Sequence, residues 1–505
     1  MWISQQQVRD KVEGCWIGKN IGGTLGGPFE GVQGILDVGF YTQELNGEPM
    51  PNDDLDLQLA WLVAVERFGN QVNSNILGEY WLSHIHPNWS EYGFCKNNMR
   101  AGLMPPLSGS VNNSHANSNG AWIRSEIWAC LAPGHPDVAA SYATEDASVD
   151  HSQEGVYSAA FCAALQSAAF VESDKFRLIH IGLSYIPDDC GVAQGVRLVM
   201  QCYSDGVPWK QARKRLFMAL PHHFGARMEG ELDPDIPVGE VGYDAPANIG
   251  IFILGWLYGE DDFGQSMCLA VNCGADTDCT AATLGAVWGI IHGAAGIPAQ
   301  WKEPIGRSIK TICLNGDMYT RFPSTVDELT DRILNIMPKF LDVSHLDLIH
   351  GDAYRIRMKD ASELHNKPPI RNYLHPQAGF HEYYYINRPY AIKFETPIFY
   401  CWFDYQQEPA LQSDEPFEVL VSFHNRIDVP HMLNLKWVLP EGWSLPSHAR
   451  ETMLPLPHHF GAGRAQVRFT IQPNRIERAK EDAYLDIRVE GRHTRLVIPA
   501  TFYAF

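Results

Sequence analysis

The chain has 505 residues, 45% of them hydrophobic, and a formal net charge of −20 from 39 basic and 59 acidic side chains. That length exceeds one ordinary core, so about two or three domains are expected. The acidic balance argues against non-specific binding to nucleic acid or anionic lipid, both of which need basic patches. No run of apolar residues is long enough for a transmembrane helix. The opening MWISQQQVRDKVEGCW lacks a basic stretch followed by an apolar one, so no signal peptide is expected. The eleven cysteines are scattered, odd in number and without a CxxC pair. They fit reduced thiols in a cytoplasmic protein, and neither a disulfide framework nor a zinc site.

Near the start, Gly14-Cys15-Trp16-Ile17-Gly18 leads into Gly22-Gly23-Thr24-Leu25-Gly26-Gly27-Pro28-Phe29-Glu30-Gly31. No strand precedes these glycines and their spacing is not that of a dinucleotide loop. Read alone they suit helix packing followed by a turn; the functional alternative is a loop that brings Glu30 into a cleft. Next comes Asn52-Asp53-Asp54, followed at once by an apolar helical run over 55–68. That run is apolar on nearly every face, as a central helix is. Further helical runs cover 156–171, 247–258 and 266–271. Asp276-Thr277-Asp278 then repeats the acidic theme ahead of a helical run over 279–295. Within it Gly285 and Gly289 lie four apart, where small residues let another helix approach.

One Asp at a helix start is a cap. Two at each of two helix starts exceed what capping needs. Carboxylates that close repel and resist burial, and a hard divalent cation relieves both. The local pattern leaves capping and metal binding equally open.

Residues 1–365 read as an all-α domain. Residues 366–377 are Pro-rich and aperiodic, as a linker is. Beyond, over 378–505, short β-branched and aromatic runs at 417–423, 433–439, 465–471, 483–489 and 494–502 alternate with turn residues. They predict an antiparallel β-sandwich of immunoglobulin-like size.

Several segments, taken in order over about 300 residues, resemble the ADP-ribosylglycohydrolase family, hydrolases that remove ADP-ribose from modified proteins. They are GCWIGKNIGGTLGGPFEG, the NDD before a helix, SNGAWIR (118–124), Asp150-His151, and CGADTDCTAATLGAVWGIIHGAAGIPAQW (273–301). The resemblance implies an all-α domain with a two-magnesium centre. Asp53 and Asp54 match the acidic pair of the first metal motif, and Asp276 and Asp278 that of the second. Glu30 falls where one branch places a metal-linked glutamate. His151 resembles the substrate-pocket histidine, and Gly120 lies in the glycine-containing pocket loop. Two positions depart from the family pattern. Asn52 stands for its usual Thr or Ser and can offer a carbonyl ligand. Cys279 stands for its usual Thr, and a thiol is a poor partner for Mg²⁺. One of the two cation sites therefore differs from the family's.

These residue types permit metal-assisted cleavage of an N- or O-glycosidic bond on an ADP-ribosyl or related ribosyl or glycosyl substrate, free or protein-linked. Glu30, Asp53 or Asp54 is the candidate general base. The rival readings are a carbohydrate-active glycosidase on the same fold, for which the appended sandwich speaks, and a non-catalytic binding protein with a degenerate metal centre. Neither nucleic acid nor membrane is an expected partner. Of the remaining charged residues, Arg124 could meet a phosphate or a buried carboxylate. Asp188-Asp189 reads as a cap or exposed turn, and Asp261-Asp262 as a solvated loop.

Overall fold

Ser4 is a strong helix starter, and in the computed structural model it opens α1 (Gln5–Gly26) with a reciprocal capping box. Gln7 N–H donates to the Ser4 hydroxyl at 3.3 Å, and Ser4 N–H donates back to Gln7 Oε1 at 3.0 Å. The structure describes residues 2–221, 227–237, 244–316, 320–348, 353–366, 390–412, 414–427, 429–458 and 463–504. From Gly14 to Gly26 every residue of α1 is buried. Its partner is the helix Thr277–His292, buried from Thr277 to Ile290.

No side chain separates the two helices where they meet. Gly14, Gly18 and Gly22 face Gly289, Gly285 and Ala281. A Cβ added at Gly18 would stand 1.9 Å from the Gly285 carbonyl oxygen, and one at Gly289 1.9 Å from that of Gly14. The four-residue glycine spacing is thus a packing device on both helices. The second helix stops three residues short of the expected 295, because Gly293 turns to φ +71°.

The first acidic run opens α2 (Asp53–Phe68), buried from Asp54 to Val65. The helices Glu154–Ala168 and Ala245–Tyr258 are also enclosed almost all round. One element of this unit escaped the sequence pattern. Strands β1 (Trp2–Ser4), β2 (Leu346–Leu348) and β3 (Tyr354–Arg357) form a small antiparallel sheet in the order β1-β3-β2. Three or four residues give too little alternation to register as strands.

By contact the chain divides into two compact units, Met1–Phe380 and His381–Phe505. Most of the expected linker, 367–377, lies outside the described residues. The second unit is a β-sandwich. Its strands are β4 (Ala391–Glu395), β5 (Phe399–Asp404), β6 (Ala410–Leu411), β7 (Phe417–Asn425), β8 (His431–Val438), β9 (Trp443–Ser444), β10 (Glu451–Leu456), β11 (Arg464–Pro473), β12 (Lys480–Val489) and β13 (Arg495–Ala504). They form two sheets, β10-β8-β12-β13-β6 and β4-β5-β7-β11-β9. Alternate residues such as Leu433, Leu435 and Trp437 of β8 and Val419, Val421 and Phe423 of β7 fill the space between them. One pairing departs from the antiparallel expectation: the two-residue edge strand β6 runs parallel to β13.

The glycine crossing yields a stability prediction. Gly18→Ala forces a methyl into a backbone carbonyl and should cost about 2 kcal/mol or more. Urea unfolding followed by tryptophan fluorescence measures it. Wild-type stability in that variant would show that the helices can part without cost.

Candidate metal centre and its cleft

α1 ends at Gly26 against the start of the Thr277–His292 helix, where Thr277 Oγ1 donates to the Gly26 carbonyl at 2.8 Å. A single 3₁₀ turn containing Pro28 then delivers Glu30. The backbone clips this loop to the second acidic motif. Gly31 N–H donates to the Ala275 carbonyl at 3.0 Å, and Ala275 N–H to the Val32 carbonyl at 2.7 Å. Ala275 holds φ +65° to do so, a left-handed conformation that a residue with a Cβ adopts only under constraint. Sequence separation hides this clip, yet it sets Glu30 beside Asp276.

Asn52 is the N-cap of α2. Its carbonyl accepts from Asp54 N–H at 2.7 Å, while its amide donates to Asp278 Oδ2 at 3.2 Å. Tyr92 donates its hydroxyl to Asp53 Oδ2 at 2.8 Å. Asn119 Nδ2 donates to Asp276 Oδ2 at 2.6 Å and is itself oriented by Trp122 Nε1 at 3.0 Å. The two acidic motifs, more than two hundred residues apart, therefore meet. Ligand oxygens of Glu30, Asp276 and Asp278 lie within 4.8 Å of one another, and so do ligand atoms of Asp54, Asp278 and Cys279. Either group could hold a metal ion. Asp276 Oδ1 and Asp278 Oδ1 are buried and without a hydrogen-bond partner, a donor set that suits a hard cation.

The electrostatics point the same way. Burial, then the charge of Asp278, raises the Asp53 carboxyl. Burial leads for Asp54, with Lys19 opposing it. Burial, then Asp278 and Glu30, holds Asp276 well above the usual carboxylate range. Glu30 is pushed up to about 9, first by Asp278, then by burial and by Asp53 and Asp54. Its side chain keeps an exposed edge, so repulsion by Asp278 is the stronger of those causes.

Sequence reasoning missed four residues here. Lys19 is 1% exposed, with its ammonium 3.5 Å from Asp54 Oδ2 and 3.1 Å from Glu126 Oε1. A lone lysine inside an apolar, glycine-rich helix was a legible signal. Glu91 and Tyr92 gave none, since each is an ordinary polar residue until the fold gathers it; Asn119 lay within the SNGAWIR segment but was not singled out there. They line a cavity of about 160 Å³ together with Glu30, Asp53, Gly120, Asp276, Asp278 and Cys279.

Gly120 belongs to that wall because a Cβ there would stand 2.1 Å from Glu91 Oε1. His151 lies behind the wall, fully buried. Asp150 Oδ1 stands 2.9 Å from its Nδ1, Ser118 Oγ 2.9 Å and Glu91 Oε1 3.9 Å from its Nε2. Arg124 meets carboxylates, not solvent: Asp146 at 2.9 Å and Asp150 at 2.6 Å, with Gly120 O as a further acceptor. Trp122 and Trp128 are core residues. Asp188 and Asp189 form an exposed turn, and Asp262 caps the helix Phe263–Asn272.

A family model described as ADP-ribosylglycohydrolase matches residues 4–337. Among solved structures, one described as an ADP-ribosylglycohydrolase-related protein complex aligns at 18% identity and TM-score 0.44, covering 66% of this chain and 100% of that one. The GAE domain of GGA2p from Saccharomyces cerevisiae aligns at 17% identity and TM-score 0.15, covering 22% of this chain and 96% of its own. No curated protein matches the sequence.

The crowded carboxylates predict a pH dependence. In the fold Glu30 keeps its proton up to about 9, while in the unfolded chain it loses it above 4.5. Between those values the unfolded chain binds fewer protons, so Glu30 makes the cation-free protein less stable as pH rises. A bound cation expels that proton, so divalent-cation affinity should rise with pH through the same window. Calorimetric Mg²⁺ titration over that range checks this. Glu30→Gln should flatten the dependence; an unchanged slope in that variant would remove Glu30 from the centre.

Proposed function

We propose a glycohydrolase function from one premise: the chain belongs to the ADP-ribosylglycohydrolase family. The reaction is hydrolysis of the N- or O-glycosidic bond joining an ADP-ribosyl group, or a related ribosyl or glycosyl group, to its carrier, with Mg²⁺ as the cation. The observation that carries this reading is the pair of buried, unpartnered oxygens on Asp276 and Asp278 converging with Glu30 at a cleft.

When bound, the cation would supply Lewis-acid stabilisation and hold vicinal hydroxyls. Glu30, Asp276 and Asp278 are the residues that would hold it. Asp53, fixed by Tyr92, presents negative oxygen to the same cleft, where it can stabilise positive charge developing on the sugar. Glu91 supplies a further carboxyl to the cleft wall. Burial first, then Asp150, favours its protonated form, against the pull of His151. It is placed to donate a proton to the departing group. Asp150 fixes the His151 ring, and His151 stands within 3.9 Å of Glu91. His151 is therefore a positioning residue. Glu30, at the exposed mouth, is placed as the base toward water once it has lost its own proton.

All eleven cysteines are free and buried, which supports a reducing compartment such as the cytoplasm. Among the described residues no helix is long and apolar enough to cross a membrane.

Hydrolysis is tested on ADP-ribosylated peptides and on aryl glycosides, each with Mg²⁺ and with chelator. Asp278→Ala should abolish turnover in a folded protein. Glu91→Gln should lower kcat by about a hundredfold or more with little change in KM. Turnover of aryl glycosides alone would favour the carbohydrate reading. Full activity of Asp278→Ala would overturn the assignment.

A further inference from the structure

The fold treats its two acidic motifs differently. Asp276 and Asp278 each keep one buried oxygen without a hydrogen-bond donor, and both line the cleft. Asp54 does not line it. Its Oδ2, likewise without a hydrogen bond, is ion-paired with the Lys19 ammonium at 3.5 Å, and its Oδ1 accepts the Cys279 thiol hydrogen at 3.4 Å. The Asn52 carbonyl is engaged by Asp54 N–H, and its amide by Asp278. So Asp54 and the Asn52 side chain already have partners from the chain, while Asp53 lines the cleft with Tyr92 on its Oδ2.

Lys19 is held where it is. Its ammonium donates to the Ile123 carbonyl at 2.5 Å and to Glu126 Oε1 at 3.1 Å. Glu126 is fixed in turn by Gln58 at 2.9 Å and Gln166 at 3.1 Å. Moving the ammonium aside would leave Glu126 and Asp54 as uncompensated buried charges. A divalent ion bound through Asp54 would stand within a few ångströms of a fixed like charge, in a low-dielectric surround. It would also have to displace or deprotonate a thiol to reach Cys279, a soft ligand that Mg²⁺ does not favour.

We propose that Lys19 supplies the positive charge on the Asn52-Asp53-Asp54 side of the centre. The protein then holds one divalent cation, on Glu30, Asp276 and Asp278, and not two. This rests on the reading above that the centre binds a divalent cation. An ammonium keeps its place at any cation concentration, so Asp54 has a counter-charge before a cation arrives.

The test uses the full chain with Mn²⁺ as probe, read by equilibrium dialysis with elemental analysis and by electron paramagnetic resonance. One ion per chain with the spectrum of isolated Mn²⁺ is expected. Two ions, or the spectrum of a coupled pair, would overturn the proposal and leave the glycohydrolase reading intact. No bound ion would overturn both. Lys19→Met should raise the stoichiometry to two; a folded variant that still binds one would overturn the role of Lys19. Should that variant not fold, Asp54→Asn decides. It should keep one ion with affinity within about threefold of wild type, whereas Asp278→Asn should weaken binding by more than about tenfold. Loss of the ion in Asp54→Asn would overturn the proposal.

Discussion

The helical unit depends on one contact, the approach of α1 to the Thr277–His292 helix with backbone against backbone. Gly14, Gly18 and Gly22 on one side and Gly285 and Gly289 on the other leave no room for a methyl group between them. Dispersion falls off steeply with distance, so this close approach gains contacts along several turns. It also fixes the site. Lys19 and the Glu30 loop travel with one helix, Asp276 and Asp278 with the other. Any slippage between the helices would change the distances among all four.

A second constraint is charge. Glu30, Asp53, Asp54, Asp276, Asp278, Glu91 and Glu126 gather around one small region, where the Lys19 ammonium stands near Asp54 and Glu126. Burying an ionised carboxylate is costly unless something compensates it. The fold meets that cost piecemeal. Asn52, Tyr92, Asn119 and Gln58 each donate to one carboxylate oxygen. They leave buried oxygens of Asp276, Asp278 and Glu91 at the cleft without a hydrogen bond, while the open oxygen of Asp54 faces Lys19. Selectivity for a cation thus follows from which oxygens the neighbouring donors do not reach.

How much of this was legible depended on how local each signal is. The acidic helix starts, the buried run after Asp54, the glycine spacing of the second helix and the alternating strands of the sandwich are all written within a few residues, and the fold class could be read from them. The pairing of the two acidic motifs needed the family resemblance, since nothing local joins residue 53 to residue 278. Glu91 was invisible, because a polar residue on an amphipathic helix looks the same whether it meets solvent or a cleft. The positive φ of Ala275 was hidden for a different reason. Alanine carries no turn signal, and only the Val32 pairing holds it there. Lys19 was readable as an anomaly, a charge amid glycines and large apolar residues, but its partner Glu126 lies over a hundred residues away.

The same contact has a consequence for synthesis on the ribosome. α1 emerges some 250 residues before the surface it packs against. At about 5–20 residues per second that interval exceeds about ten seconds. Throughout it, a helix with Trp16, Ile17, Ile21 and Leu25 destined for the interior has no mate to cover it. The β1 strand waits longer still, for β3 at residues 354–357. The unit is therefore closed by its two ends, with high contact order. Until residues 277–357 have emerged, α1 and β1 are open to wrong partners.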